Sequence, residues 1–165
     1  MDQEQFAAFY NETAAVLRGY IRRVSGEAEA ADDLLQETYL RFLRAQPGVD
    51  DRAAIKAYLY KAATAAIYDR WRRRRREQLW SLSFRTRADR APAVEPGGDV
   101  ARCFNKLKPR ERALLWLAYV EGCSHVEIAA SLDLAQKSVK VLLFRARRNM
   151  ESVLRQNGFR GEAKQ

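Results

Sequence analysis

Arginine and lysine carry most of the chemistry this sequence offers. Arg70, Arg72, Arg73, Arg74, Arg75 and Arg76 lie close together, next to Tyr68 and Trp71. A second group, Lys137, Lys140, Arg145, Arg147 and Arg148, stands with Gln136 and Ser138. Such side chains neutralise phosphates and release condensed counterions, and nearby aromatic rings offer faces for bases. An anionic membrane surface or a plain solvated face are the other uses of such runs. Covalent chemistry has little to work with. His125 is the one histidine, and Cys103 and Cys123 stand 20 residues apart, which fits neither a metal site nor a redox pair. The cysteines read as reduced, mostly buried thiols. No phosphate-cradling glycine loop, metal-ligand cluster or pair of catalytic carboxylates stands out. The chain therefore reads as a binding protein with no cofactor and no metal, and not as an enzyme.

The charge is unevenly spread. The net charge of +9 over 165 residues divides into −2 for residues 1–68, +6 for 69–90, −2 for 91–100 and +7 for 101–165. An acidic front suits a protein partner, and two basic regions suit two separate polyanion contacts. A hydrophobic content of 47% excludes a wholly disordered chain. No apolar run approaches the ~20 residues that cross a bilayer. The opening MDQEQFAAFYNE is acidic where a signal peptide is basic, so a cytoplasmic protein without membrane insertion is expected.

The elements that must position these groups read as helices throughout. Phe6, Phe9, Tyr10, Thr13, Leu17, Tyr20, Ile21 and Val24 recur at three- and four-residue steps, predicting a helix over 3–24 that Ser25-Gly26 breaks. A second stripe runs Ala31, Leu34, Leu35, Thr38, Tyr39, Phe42, Leu43 and stops before Pro47-Gly48. Asp50 or Asp51 can cap a third helix carrying Ile55, Tyr58, Leu59, Ala62, Ala63, Ala66 and Ile67. Residues 77–99 lose this period and gain Pro92, Pro96, Gly97 and Gly98, and read as a linker, although Trp80, Leu82 and Phe84 are apolar for a spacer. Beyond it, Val100, Cys103, Phe104 and Leu107 form a short stripe. Pro109 opens the next helix, and Gly122 offers that helix a left-handed end. Ser124 with Glu127 makes a capping box, and a turn at Asp133-Leu134-Ala135 leads into a last helix to about Leu154. The expected fold is all-α: an N-terminal three- to four-helix bundle and a C-terminal helix-turn-helix, two small helical domains joined by a flexible linker.

From Ser124 to Arg148 the layout is a short capped helix, a three-residue turn and a longer helix. The second helix of such a unit can enter a major groove, presenting Gln136, Lys137, Ser138 and Lys140, with Arg145 behind them. An ordinary helical hairpin with a charged face has the same spacing.

The segment SHVEIAASLDLAQKSVKVLLFRARRNM and its lead-in LKPRERALLWLAYVEGC resemble the DNA-binding end of bacterial RNA polymerase sigma factors. In the front half, DDLLQETYLRFLR resembles the helix by which these factors dock on core polymerase. The segment AYLYKAATAAIYDRWRRRRR resembles the helix that meets the −10 promoter element. The pair in this order resembles the minimal extracytoplasmic-function (ECF) group of the sigma-70 family. The resemblance implies region 2 over 1–76, a linker over 77–99, region 4 over 100–158 and a tail over 159–165. It implies core RNA polymerase, double- and single-stranded promoter DNA and an anti-sigma factor as partners. It implies core-polymerase contacts from Asp32, Asp33, Leu34, Gln36, Glu37 and Arg41; for Asp32, helix-end capping fits equally well. It implies −10 contacts from Lys61, Thr64, Arg70, Trp71, Arg72, Arg73 and Arg74, with the loop Ala45 to Arg52 shaping a pocket for a flipped base. It implies −35 contacts from Gln136, Lys137, Ser138, Lys140, Val141, Phe144 and Arg145. The competing reading is a stand-alone helix-turn-helix regulator that never meets polymerase. Three departures from the family pattern stand out. Thr64 replaces a common Asn. Asp133 and Ala135 replace the usual turn glycine and capping residue. Val141, Leu142 and Phe144 stand where polar or basic residues are frequent, and either DNA or a protein surface can accept them.

Overall fold

A computed structural model describes residues 1–48, 51–84 and 98–160. Within them the chain forms α1 (Gln3–Ser25), α2 (Ala31–Ala45), α3 (Arg52–Phe84), α4 (Asp99–Asn105), α5 (Pro109–Tyr119), α6 (His125–Leu132) and α7 (Gln136–Gln156), and no strand.

Local chemistry sets most of the boundaries. Asp2 and Gln5 close a capping box on α1, and Ser124 and Glu127 close another on α6. The Ser124 contacts hold the Glu127 carboxyl below its usual range. Pro109 occupies the first turn of α5, where its missing N–H costs nothing. Asp133 takes the left-handed conformation (φ 55°) that ends α6, and Ala135 caps α7 without a side-chain bond. Asp51 accepts from Ala53 N at the start of α3, whereas Asp50 lies outside the described residues.

Aromatic side chains join α1 to α2. Phe9 stacks on Phe42 with centroids 5.3 Å apart, Phe6 meets Tyr39 edge-on, and the Tyr39 hydroxyl lies 2.6 Å from Thr13 Oγ1. Leu17, Tyr20, Ile21 and Val24 of α1, Leu34 and Leu35 of α2, and Leu59, Ala63 and Ile67 of α3 are buried together. Each leucine, isoleucine or valine among them contributes about 1.5–3 kcal/mol through removal from water. In the C-terminal half, α7 runs against α4, α5 and α6, burying Leu107, Leu115, Val139, Leu143 and Ala146.

The two halves are packed on one another. One cluster of buried residues runs from Tyr20 and Tyr60 through Leu114 and Leu117 to Ile128 and Leu132, with α5 against α1 and α6 against α3. At this seam Arg112 of α5 is buried. It donates to Val24 O (2.7 Å) and Ser25 O (3.3 Å) at the end of α1, and to Asn105 O and Leu107 O of its own half. Burial pulls its guanidinium down to about 10, so it stays charged at neutral pH. Gly26 is needed here for its backbone. It caps α1 in the left-handed region (φ 70°), where a residue with a side chain would be strained.

Three expectations need correction. The third helix does not stop at Arg76 but continues to Phe84, so the early part of the expected linker is helical. Its residues 77–82 are exposed, and helix can persist there because nothing in Glu77-Gln78-Leu79-Trp80-Ser81-Leu82 breaks it. The remaining linker residues 85–97 and the tail 161–165 lie outside the described residues. Leu43, expected in the buried stripe of α2, is 41% exposed. Gly122 is left-handed (φ 65°) as expected, but α5 itself ends earlier, at Tyr119.

Candidate nucleic-acid interface

α2 presents its expected docking set unevenly. Asp33 and Gln36 are exposed, and with Leu40 (40% exposed) and Leu43 they share one face at helical spacing. Beside it, Phe6, Tyr10, Leu35, Gln36, Tyr39, Leu40 and Leu43 line a shallow groove between α1 and α2. Sequence reasoning assigned Leu43 to the core and did not single out Leu40 at all. Leu34 is the opposite case. It is buried in the bundle, so it is removed from the contact set and serves packing. Arg41 is half-buried and bridges Glu37 (2.8 Å) to Asp69 of α3 (3.1 Å), which raises its pKa, chiefly through the Glu37 bond. Asp32 is exposed and held by Arg18 (2.6 Å), whose hydrogen bond lowers the Asp32 carboxyl.

On α3 the cations are partly engaged. Arg70 and Arg74 both reach Glu27, at 2.8 and 2.6 Å, and Arg72 reaches Asp69 at 2.8 Å. Arg73 is exposed, and Trp71 is half-buried under the Arg75 guanidinium, 5.2 Å from the ring centre. Lys61 points at the C-terminal half, where it meets Asp133 of the α6–α7 turn at 3.0 Å. Thr64 is not a surface residue. It is 3% exposed, donates to Tyr60 O, and shares a 2.7 Å hydrogen bond with the Tyr20 hydroxyl. Its expected base contact is therefore corrected: in this arrangement the hydroxyl is spent inside the bundle.

Tyr60, beside Lys61, is drawn to the other half as well. Its hydroxyl donates to Glu121 Oε1 at 2.8 Å, and Glu121 Oε2 is buried without a hydrogen-bond partner. Burial, reinforced by Glu121, pushes the Tyr60 phenol far up. Cys123 next to them is half-buried, and its thiol is likewise raised, first by burial and then by Glu121, so it is no reactive thiolate. Cys103 is buried.

α7 is open where α3 is covered. Gln136, Lys137, Lys140, Val141, Phe144 and Arg145 are exposed, and Ser138 is half-exposed. Arg148 lies over the Phe144 ring at 5.9 Å, and Arg147 donates to the Tyr119 hydroxyl at 2.6 Å. The apolar trio divides: Val141 and Phe144 face solvent, while Leu142 turns inward against the main cluster. Among the described residues no group of metal-ligating side chains comes together, and no helix is long and apolar enough to cross a membrane.

Comparison with known proteins matches both halves. Residues 9–77 match the family model of sigma-70 region 2, and residues 98–150 match that of sigma-70 region 4. The ECF RNA polymerase sigma factor SigL of Mycobacterium tuberculosis is 30% identical over 92% of this chain and 89% of its own length. SigE of Mycolicibacterium smegmatis is 31% identical over 80% of this chain, a stretch that makes up 54% of that protein. In fold, the chain is similar to the sigma factor RpoE of Bartonella quintana solved with the anti-sigma factor NepR (TM-score 0.72, 22% identity, 92% of this chain and 98% of that one). It is also similar to CnrH solved with the cytosolic domain of CnrY (TM-score 0.67, 23% identity, 95% and 92%).

Proposed function

The chain belongs to the ECF sigma factors of the sigma-70 family, and from that premise we propose which of its surfaces meet polymerase and which meet DNA. As a sigma factor it is a non-catalytic subunit that directs promoter recognition by RNA polymerase, rather than a stand-alone regulator.

Core polymerase docks on the outer face of α2, through Asp33, Gln36, Leu40 and Leu43, flanked by the Glu37–Arg41 pair. The observation that carries this is an apolar face left uncovered beside polar groups, on the helix that the region 2 match includes. Leucines that stay exposed at consecutive turns of one helix suit a groove or helix of a partner. The basic run of α3, Arg70 to Arg74 with Trp71, takes the −10 element. Its charges follow the backbone of an opened strand, and its aromatic ring offers a stacking face. α7 enters the major groove at −35.

These contacts require the two halves to part. Elements named −10 and −35 stand about 25 base pairs apart, roughly 85 Å at ~3.4 Å per step. Here α6 lies directly on α3, a separation of about 10 Å between packed helix axes. One closed body cannot serve both elements. Closure also ties Lys61 to Asp133 and Tyr60 to Glu121. The closed form is a storage state, and binding to core polymerase holds the halves open. An anti-sigma partner, as in the RpoE–NepR structure of similar fold, would favour storage. All of this takes place in the cytoplasm, where the polymerase works.

Run-off transcription with core polymerase on a genomic library tests the function and maps the promoters. Wild-type chain should produce discrete starts, and Gln36→Ala with Arg41→Ala should lose them while keeping its thermal transition. Unchanged transcripts from that variant would overturn the docking face.

A further inference from the structure

Given α7 in the major groove at −35, as proposed above, we infer that Val141 and Phe144 read the C5-methyl groups of thymine on two neighbouring base pairs. Both side chains are about half exposed, at 49% and 53%, and three residues apart they share one face of α7. Neither has a donor or an acceptor. The one apolar group that base edges present in the major groove is the thymine methyl. Three residues advance an α-helix by about 4.5 Å, close to one ~3.4 Å base step, so the pair addresses adjacent positions. Leu142 does not join them, because it is turned into the core.

The surroundings select DNA as the occupant. Lys140 and Arg145 flank the pair in sequence and are exposed, and Arg148 covers one side of the Phe144 ring. An apolar protein surface laid over this face would strip water from those cations without returning a partner. A duplex offers phosphates to the cations and methyl groups to the apolar side chains between them. The −35 element of this factor therefore contains adjacent thymines. Cytosine is disfavoured there, because it lacks the methyl group and presents an amino donor that neither side chain can accept.

The test uses holoenzyme assembled from the full chain and core polymerase, on a promoter mapped by run-off transcription. Each −35 thymine is replaced singly by deoxyuridine, which removes only the methyl group. Two neighbouring replacements should each weaken binding by about three- to fivefold, the effect of one methyl group left in water. In Val141→Ser with Phe144→Gln those penalties should vanish, while other −35 substitutions still weaken binding. Both positions are exposed, so the variant should keep its helicity and melting temperature. If deoxyuridine is neutral everywhere while a scrambled −35 element abolishes binding, methyl reading is overturned and the placement of α7 stands. If scrambling has no effect, the placement itself falls. If thymine and uracil are equal and the variant instead loses affinity for core polymerase, the pair belongs to a protein contact and the inference fails.

Discussion

The two helices proposed to face DNA are kept in opposite states. α7 holds its polar and apolar reading side chains in water, while α3 has Thr64 buried, Lys61 matched to Asp133 and two arginines drawn to Glu27. Both carry dense positive charge, so composition alone treats them alike. The tasks proposed for the two helices account for the difference. A helix that reads an intact duplex can be ready-made, because the groove is already there. A helix that holds an opened strand has aromatic and cationic groups that would bind any single strand, and covering part of it limits such binding until polymerase is present.

The sharpest way to break this comparison is to forbid opening. In a background with Cys123→Ser, Lys61→Cys and Asp133→Cys joined by a short bis-maleimide should cost promoter binding about a thousandfold or more, the order of specific over non-specific affinity. Cleavage of a reducible version of the linker should restore it. Full binding by the linked chain would mean that the closed form is already competent.

A second measurement asks how much of the α3 charge reaches phosphate. Replacing Arg72, Arg73 and Arg74 by Ala should reduce the salt slope of holoenzyme–promoter binding by about 2–3 units, at roughly 0.7–0.9 per phosphate contact. If Glu27 keeps Arg74 after opening, the single Arg74→Ala change moves the slope by clearly less than one contact. An unmoved slope in the triple variant would reduce the run to a solvated face.

The smallest effect is expected at the seam. Tyr60→Phe removes the hydrogen bond at Glu121 Oε1 and leaves that carboxylate without this support inside the interface. Loss of a hydrogen bond to a charged group is worth about 1.5–3 kcal/mol, so core-polymerase binding should tighten about tenfold or more through a less stable closed form. Weaker binding at unchanged stability would place Tyr60 in the polymerase contact instead.

How much of this was legible in the sequence depended on distance along the chain. Ser124 with Glu127, Pro109 and Gly26 act on their own turns, and their roles could be read directly. The stripe of α2 put Leu43 inside because spacing cannot say which end of a stripe runs out past its neighbours. The extension of α3 was hidden for a related reason. Helix persists on backbone propensity after the buried face ends, and a search for periodicity stops at that face. Thr64 was placed on DNA by resemblance, whereas its hydroxyl bonds Tyr20, 44 positions away in sequence. The seam was out of reach altogether. Tyr60 and Glu121 are 61 residues apart, and Arg112 reaches back 88 residues to Val24.

The Arg112 contact has a consequence for the drift of this protein over time. What it grips on α1 is main chain, the carbonyls of Val24 and Ser25, which any residue in those places would offer. Exchanging side chains at the end of α1 leaves these acceptors where they are, provided a glycine still turns the chain at 26. When the halves part, Asn105 O and Leu107 O remain as partners within its own half, so the charge is not stranded. This one contact, unlike the Lys61–Asp133 and Tyr60–Glu121 pairs, can thus survive separate divergence of the two domains.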